Sequence, residues 1–298
     1  SVASLIVQQT APGLKSRLLF SALPSSVAAE AEPMMAQAGY IMSSNAKTFR
    51  TAPDVPLIQA DVNADHLALV KQQEARGWGG FVITNANCVA IPLSISLKPL
   101  EDAFGIEKLF VVSMQSVSGT GYPGVASLDI IDNVIPYVSG DENKMETEPL
   151  KILGTFNGQS IDEYQIISSA TATRVAIIDG HLVNLSLSLD SAPSIDEILL
   201  AWENYEMPPE VAILPSAPEK PVQYLSQIDR PQPRRDRMAG KGMMTSIGRL
   251  RECPILGYKF AALAHNTIRG AAGCSILNAE LLAVKGYLDT FQPISVAV

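Results

Sequence analysis

The first 85 residues alternate between short apolar runs and helical patterns, and this alternation limits the fold more than any other feature. The apolar runs are RLLFSAL (17–23), YIMSS (40–44) and GFVITN (80–85), and the helical patterns are SSVAAEAEPMMAQAG (25–39) and HLALVKQQEARG (66–77). Strands that alternate with helices pair in parallel, because each connection must cross the face of the sheet. The sequence therefore predicts an α/β domain with a parallel sheet.

The middle of the chain follows a different pattern. Polar and apolar residues alternate there with period 2, which is typical of sheets with one covered face. The segments are 108–119, 164–178, 181–190, 241–250 and 258–265. We expect helices near 126–138 and 195–204, a long ordered or partner-bound loop in the proline-rich stretch 207–237, and a last helix over 271–288. These elements predict a larger α+β domain inserted into the first, with the last helix returning to the parallel sheet.

Charge and cysteine usage exclude several classes of function. The net charge is −8, which argues against nucleic acid and anionic membranes as main partners. No apolar run is long enough to span a bilayer. Cys88, Cys253 and Cys274 are the three cysteines. Their number and wide spacing suggest free thiols and a cytoplasmic protein, and the absence of a C-x-x-C motif argues against a structural metal site.

Cys88 follows a predicted strand at the start of a predicted helix, where unpaired amides and the helix dipole favour a thiolate. Asn87 could position it or donate to an oxyanion. A buried structural cysteine is the alternative interpretation. A nucleophilic thiol also needs a base, and the candidate is His181, with Arg174 nearby in sequence. Their odd spacing puts them on opposite faces of a strand unless the turn at 179–180 realigns them. The alternative interpretations are a structural histidine and, for Arg174, a surface ion pair.

Ordered blocks across most of the chain resemble one enzyme family. They include SALPSSVA (21–28), the long block from ITNANC to SGTGYPGV (83–125), RVAIIDGH (174–181), GRLRECPILGYKF (248–260) and HNTIRGAAG (265–273). They are similar to blocks of the aspartate-β-semialdehyde dehydrogenases, especially the fungal and archaeal branch, from about residue 17 to residue 288.

The resemblance implies an α/β fold in which a truncated Rossmann-like parallel sheet domain carries an inserted α+β domain with a mixed or antiparallel sheet. Residues 1–88 and 266–298 would form the remnant of a dinucleotide-binding domain. Residues 89–265 would form the catalytic and dimerisation domain, and a homodimer is expected.

In that family a cysteine attacks the aldehyde, NADP removes hydride, and phosphate releases the acyl group from the thioester. The resemblance makes Cys88 the nucleophile and His181 the general acid/base. Gln115 would hold the substrate near the cysteine, and Arg174 would bind its carboxylate.

Further roles follow from the same resemblance. Arg50 and Lys144 would bind phosphate. Asp141 stands where the family has a glutamate that recognises the substrate amine, and it is one methylene shorter. Ser25 and Ser26 would lie near the cofactor.

Two departures from the family pattern lead to a hypothesis about the reaction. The sequence contains no G-x-T-G-x-x-G loop of the kind that holds the cofactor phosphates, so we expect no cofactor and only a vestigial site, in which Asn266 would lie near the nicotinamide. Around the cysteine, Val89 replaces a serine or threonine, and Pro92 would press on the carbonyl of Cys88 if the helix included that residue.

These departures favour an enzyme that has lost redox chemistry. With His181 as base, it would close a lactone or pyrone ring, or transfer an acyl group, on a small-molecule acyl substrate in a biosynthetic pathway, such as a polyketide pathway. One alternative is an NADP-dependent aspartate-semialdehyde dehydrogenase of the lysine, threonine and methionine pathway, present as a truncated chain. Another is a non-catalytic dimer partner.

Overall fold

A computed structural model describes residue 4 and residues 6–289 of the 298-residue chain. The apolar tail that follows the last helix lies outside the described residues from position 290 onward. The part of the predicted first domain that falls in this tail is therefore not described.

The first sheet, sheet A, is parallel. In the described part of the chain it has four strands in the order β1-β2-β4-β3. They are β1 (Leu18–Ser21), β2 (Ile41–Ser44), β3 (Leu57–Ile58) and β4 (Phe81–Asn85). Every residue of β2 and β4 is buried, as in parallel strands covered on both faces. The predicted parallel sheet is confirmed.

The second sheet, sheet B, is mixed and follows the order β10-β11-β12-β9-β5-β8 over the described residues. Its strands are β5 (Ile106–Gln115), β8 (Ile167–Arg174), β9 (His181–Leu189), β10 (Val222–Leu225), β11 (Thr245–Cys253) and β12 (Gly257–Ala264), and a separate hairpin pairs β6 (Thr155–Phe156) with β7 (Ile161–Asp162). β5 pairs with β8 in parallel, as β10 does with β11, and the other pairs are antiparallel. The predicted mixed sheet is confirmed as well.

The helices connect and cover these sheets. Among the described residues the α-helices are α1 (Ser25–Gln37), α2 (Ala60–Asn63), α3 (Ala90–Phe104), α4 (Ser127–Ile130), α5 (Asp141–Ile152), α6 (Ile195–Glu203), α7 (Pro209–Ala212), α8 (Pro233–Asp236) and α9 (Gly273–Val284). α3 is buried on nearly all sides, and the indole of Trp202 on α6 donates to Ser96 O on α3 at 2.9 Å. α9 packs against β2 and β4 of sheet A. The predicted domain boundaries stay a prediction.

Three predicted elements differ from the structure. The helix expected at 66–77 is a 3₁₀-helix, Ala64–Arg76, which ends at Gly77 in the left-handed region (φ 68°). Of the helix expected at 126–138, only the four-residue α4 forms, because Ile135 exchanges backbone hydrogen bonds with Arg174 and the chain there is extended. The proline-rich stretch contains α7, α8 and β10, which pairs with sheet B. In the described part of the chain, no helix has both the length and the apolar character needed to cross a bilayer.

Candidate active site

Cys88 lies in the short connection between β4 and α3. β4 ends at Asn85, and α3 begins at Ala90, so the cysteine precedes the helix. The side-chain oxygen of Asn87 accepts the backbone N–H of Val89 at 3.0 Å and closes the turn around the cysteine. Ile91 N–H donates to Asn87 O at 3.1 Å, so one α-type turn encloses Cys88 just ahead of α3. Pro92 has no N–H to offer the carbonyl of Cys88, which is four residues before it, and the regular helix begins only at Ala90.

His181 contacts the cysteine directly. Its Nε2 lies 3.2 Å from Cys88 Sγ, although the two residues are 93 positions apart. His181 is the first residue of β9 and has no solvent-exposed surface. The fold thus brings together the cysteine and the histidine that the sequence singled out.

The other imidazole nitrogen fixes the tautomer of His181. The backbone N–H of Ser116 donates to His181 Nδ1 at 3.1 Å, so Nδ1 presents a lone pair. In a neutral imidazole the proton then sits on Nε2, facing Cys88. His181 is therefore arranged to donate a hydrogen bond at the cysteine and not to accept one there.

The Cys88 thiol and the His181 imidazole are both neutral in this arrangement. Burial lowers the pKa of His181 to about 3, with help from the charge of Arg174. The Cys88 side chain keeps some exposed surface, yet its desolvation, followed by the negative charge of Asp141, raises its pKa to about 11. The site therefore holds a thiol and an imidazole, not a preformed ion pair.

The loop after β5 holds the Arg174 side chain beside His181. Arg174 Nη1 donates to the carbonyl of Ser116 at 2.5 Å. A Cβ atom on Gly119 would lie 3.0 Å from Arg174 Nη1 and 3.1 Å from His181 Cε1, so both side chains close on this glycine. Arg174 ends β8 and His181 begins β9, and the connection between them, with Gly180 at φ 102°, achieves the predicted realignment.

Gln115 ends β5, one residue before Ser116. Its side chain is buried, and its amide donates to Ser113 Oγ at 3.2 Å. Gln115 thus lies at the edge of sheet B that carries Arg174 and His181, and its role toward a substrate stays a prediction.

One face of α5 supplies charged groups to the other side of the cysteine turn. Lys144 Nζ donates to Asp141 Oδ1 at 2.6 Å, and the amide of Asn87 reaches the same oxygen at 3.5 Å. One turn further on, Glu148 pairs with Arg50 at 2.8 Å. The spacing of three and four residues places these side chains on the same face of the helix.

Arg50 keeps one hydrogen-bond donor available. Nη1 binds Glu148 and Nη2 binds Asn45 O, whereas the buried Nε has no hydrogen-bond partner among the described residues. A buried guanidinium with a spare donor suits an anionic substrate group.

The predicted cofactor residues lie in two places. Ser25 and Ser26 begin α1, whose first turn has no acidic residue and no side-chain cap. A helix start of this kind attracts phosphate, so these residues fit a dinucleotide. The Asn266 side chain is occupied at both ends, because its amide donates to Ser118 Oγ and its oxygen accepts Gly180 N–H. Asn266 therefore braces the loops around His181.

Comparison with known proteins identifies the family. Residues 97–269 match the semialdehyde dehydrogenase dimerisation domain, and residues 2–70 match the semialdehyde dehydrogenase NAD binding domain. The aspartate-semialdehyde dehydrogenase of Archaeoglobus fulgidus is 50% identical over 266 residues, which cover 89% of this chain and 76% of that protein. The Aspergillus fumigatus enzyme is 44% identical over 283 residues, covering 91% and 78%.

The chain belongs to the aspartate-semialdehyde dehydrogenase family. A crystal structure of the Candida albicans family member with NADP superposes with a TM-score of 0.87 at 39% identity, covering 95% of this chain and 83% of that one.

Family membership corrects the hypothesis of lost redox chemistry. A non-redox cyclase or acyl-transfer enzyme of a polyketide pathway, forming a lactone or pyrone, is contradicted by relatives that are aspartate-semialdehyde dehydrogenases. The expectation of no cofactor is wrong for the same reason, since residues 2–70 match an NAD binding domain and the similar Candida albicans structure contains NADP. Both expectations relied on one absent glycine motif, while the residues that are present carry the family pattern.

Several residues of the site were not predicted from the sequence. Ser116 and Gly119 lie in the glycine-rich loop after Gln115, which is a recognisable signal, whereas Glu148 is an ordinary helix residue in sequence terms. Gly270 is a further example. It lies in a short π-helix, Ile268–Ala272, and packs against the cysteine.

Substitution of Gly270 by alanine is expected to displace Cys88. The added Cβ would lie 2.7 Å from Cys88 Cβ and 3.0 Å from its Cα, so the backbone of the cysteine must shift. A displacement of about 1 Å at a reacting atom lowers kcat by about 100-fold. Steady-state kinetics test this, with the exposed Ala272→Ser on the same π-helix as the control. Equal kcat in both variants would mean that Gly270 does not set the position of the thiol.

Proposed function

We propose that this protein is an NADP-dependent aspartate-semialdehyde dehydrogenase that forms an acyl phosphate through a thioester on Cys88. The observation that carries the proposal is the 3.2 Å contact between Cys88 Sγ and His181 Nε2 in a chain of this family. Residues from β4, β5, β8, β9 and α5 surround that contact.

Cys88 supplies the nucleophile. After its proton is released to water, the thiolate adds to the aldehyde carbon, which forms a C–S bond and leaves an alkoxide on the former aldehyde oxygen. Hydride then leaves the same carbon, and the C=O bond of a thioester forms. NADP, when bound, supplies the hydride acceptor.

His181 supplies a hydrogen-bond donor to the alkoxide. Because Ser116 N–H occupies Nδ1, the Nε2 proton points to the cysteine, beside which the oxygen must develop its charge. A fixed donor in a buried site stabilises such an oxyanion without reorganisation. The proposed role is therefore that of a donor, and not that of the base expected from the sequence.

Charged residues bind the substrate and phosphate groups of opposite charge. We assign the substrate carboxylate to Arg174 and the attacking phosphate to Arg50 and Lys144, with Asp141 on the substrate amine. Phosphate displaces the sulfur, which regenerates Cys88 and releases the acyl phosphate. The spare donor on Arg50 Nε supports its assignment.

The protein is further proposed to act as a cytoplasmic homodimer. The match of residues 97–269 to a dimerisation domain supports the dimer. The free thiols of Cys88, Cys253 and Cys274 suit a reducing compartment.

Binding of NADP tests the redox part of the proposal. Titration of the full chain with NADPH, followed by calorimetry, is expected to show saturable binding in the micromolar range. Ser26→Asp should weaken binding about tenfold, since a carboxylate at the start of α1 repels phosphate while it suits the helix dipole. Ala29→Asp, one turn further along the exposed side of α1, is the matched control. An absence of binding at millimolar NADPH would contradict the proposal.

A further inference from the structure

A single buried carboxylate links the cysteine turn to Arg50. Glu148 on α5 is only 4% exposed. Its Oε1 accepts Arg50 Nη1 at 2.8 Å, and its Oε2 accepts the backbone N–H of Asn87 at 2.6 Å. Since Asn87 directly precedes Cys88, the two oxygens of one side chain hold the nucleophile's backbone and a guanidinium at a fixed separation.

The opposite side of Arg50 is held as well. Arg50 Nη2 donates to the carbonyl of Asn45 at 2.8 Å. The Asn45 side-chain oxygen accepts the amide of Asn85 at 3.0 Å, and Asn85 is the last residue of β4. The network therefore binds both ends of the segment from residue 85 to residue 87, which leads to the cysteine.

Lys151 fixes the loop that carries Arg50. It lies three residues after Glu148 on α5, and its Nζ donates to the carbonyls of Arg50, Ala52 and Val55 at 2.9, 2.7 and 2.7 Å. The backbone of this loop is thus attached to the helix that presents Glu148. Neither Arg50 nor the cysteine turn can move far without breaking these contacts.

We propose that Glu148 is a positioning residue that sets the placement of the Cys88 thiol relative to the Arg50 guanidinium. This inference rests on the proposed function for the roles of Cys88 and Arg50. Charge compensation of Arg50 alone does not require the short bond to the amide of Asn87, which is a neutral donor. That second bond is what a positioning role needs.

The variant Glu148→Asp separates geometry from charge. It keeps the negative charge beside Arg50, so a buried cation is not left alone, but it shortens the side chain by one methylene. The shorter carboxylate cannot span both partners at their present distances. We expect kcat to fall about 100-fold with little change in the thermal midpoint of unfolding.

The variant Glu148→Gln removes the charge and keeps an oxygen for Asn87. The unpaired guanidinium then favours the Cys88 thiolate, so alkylation of Cys88 by iodoacetamide at neutral pH should become about tenfold faster. A residue that contributed to stability alone would not change the pH profile of this reaction.

Glu146→Gln is the matched control, because Glu146 lies on the same helix but accepts the N–H of Ala170 on β8. The control should keep the wild-type kcat and alkylation profile. The proposal is overturned if both Glu148 variants keep them within twofold, or if Glu146→Gln changes them equally. If the wild-type protein makes no NADPH, the proposed function is refuted. Alkylation requires no turnover, so its pH profile still tests the role of Glu148 in that case.

Discussion

Replacement of Cys88 by serine is expected to abolish formation of NADPH from aspartate semialdehyde, with kcat reduced by at least about a thousandfold. The substituted hydroxyl is a far weaker nucleophile, because its pKa lies well above that of a thiol and His181 presents a proton to it instead of a lone pair. The protein should keep its fold, since serine is close to cysteine in size and Cys88 precedes α3. Stopped-flow absorbance of NADPH and a thermal melt provide the two measurements.

Cys88→Ser also provides the background rate for a measurement of the reactivity of the Cys88 thiol in the wild-type protein. With the pKa of Cys88 raised to about 11, its thiolate fraction should increase about tenfold per pH unit across the neutral and mildly alkaline range. Alkylation by iodoacetamide, corrected for the rate in Cys88→Ser, should follow this slope. The correction removes any contribution of Cys253 and Cys274, which are buried. A plateau at neutral pH would contradict a neutral resting thiol.

Removal of the His181 ring is expected to have the second largest effect, and two substitutions separate its possible roles. His181→Ala deletes the Nε2 donor and should lower kcat by about 100- to 1000-fold, the usual loss for one oxyanion donor. His181→Gln keeps an N–H group but cannot accept a proton near neutral pH. If His181 acts as a donor, the kcat of His181→Gln should be at least about tenfold higher than the kcat of His181→Ala.

One outcome for His181→Ala and His181→Gln would contradict the donor role. Equal losses in His181→Ala and His181→Gln would indicate that His181 acts as a base, in conflict with the bond from Ser116 N–H to Nδ1. Alanine at position 116 keeps the backbone N–H and serves as the control, because only the hydroxyl of Ser116, 3.2 Å from Nδ1, is lost. Ser116→Ala should therefore retain most of the activity.

The sequence predicted the sheets because their patterns depend on local periodicity. β2 and β4, which are buried along their whole length, and the alternating β9 carry the signals of a covered and a half-covered strand. The helix predicted at 126–138 failed because its conformation depends on a partner remote in sequence. Ile135 pairs with Arg174, and periodicity within a segment contains no information about such a pairing.

The candidate site was predictable only in part for a related reason. Cys88 and His181 were candidates from their positions in the sequence, the resemblance assigned their roles, and the fold places them in contact. The tautomer of His181 depends on a backbone amide, and the role of Glu148 depends on Asn87 N–H, so neither could be deduced from side-chain identity. The error about the cofactor came from giving one absent motif more weight than the residues that are present.

The most direct test of the proposed reaction is the time course of NADPH formation when the full chain is mixed with NADP and aspartate semialdehyde before phosphate is added. The thioester mechanism predicts a rapid burst of NADPH, at most equal in amount to the Cys88 thiol, followed by steady turnover once phosphate is supplied. Cys88→Ser should show neither phase. Absence of NADPH both before and after the addition of phosphate would contradict the proposed dehydrogenase function.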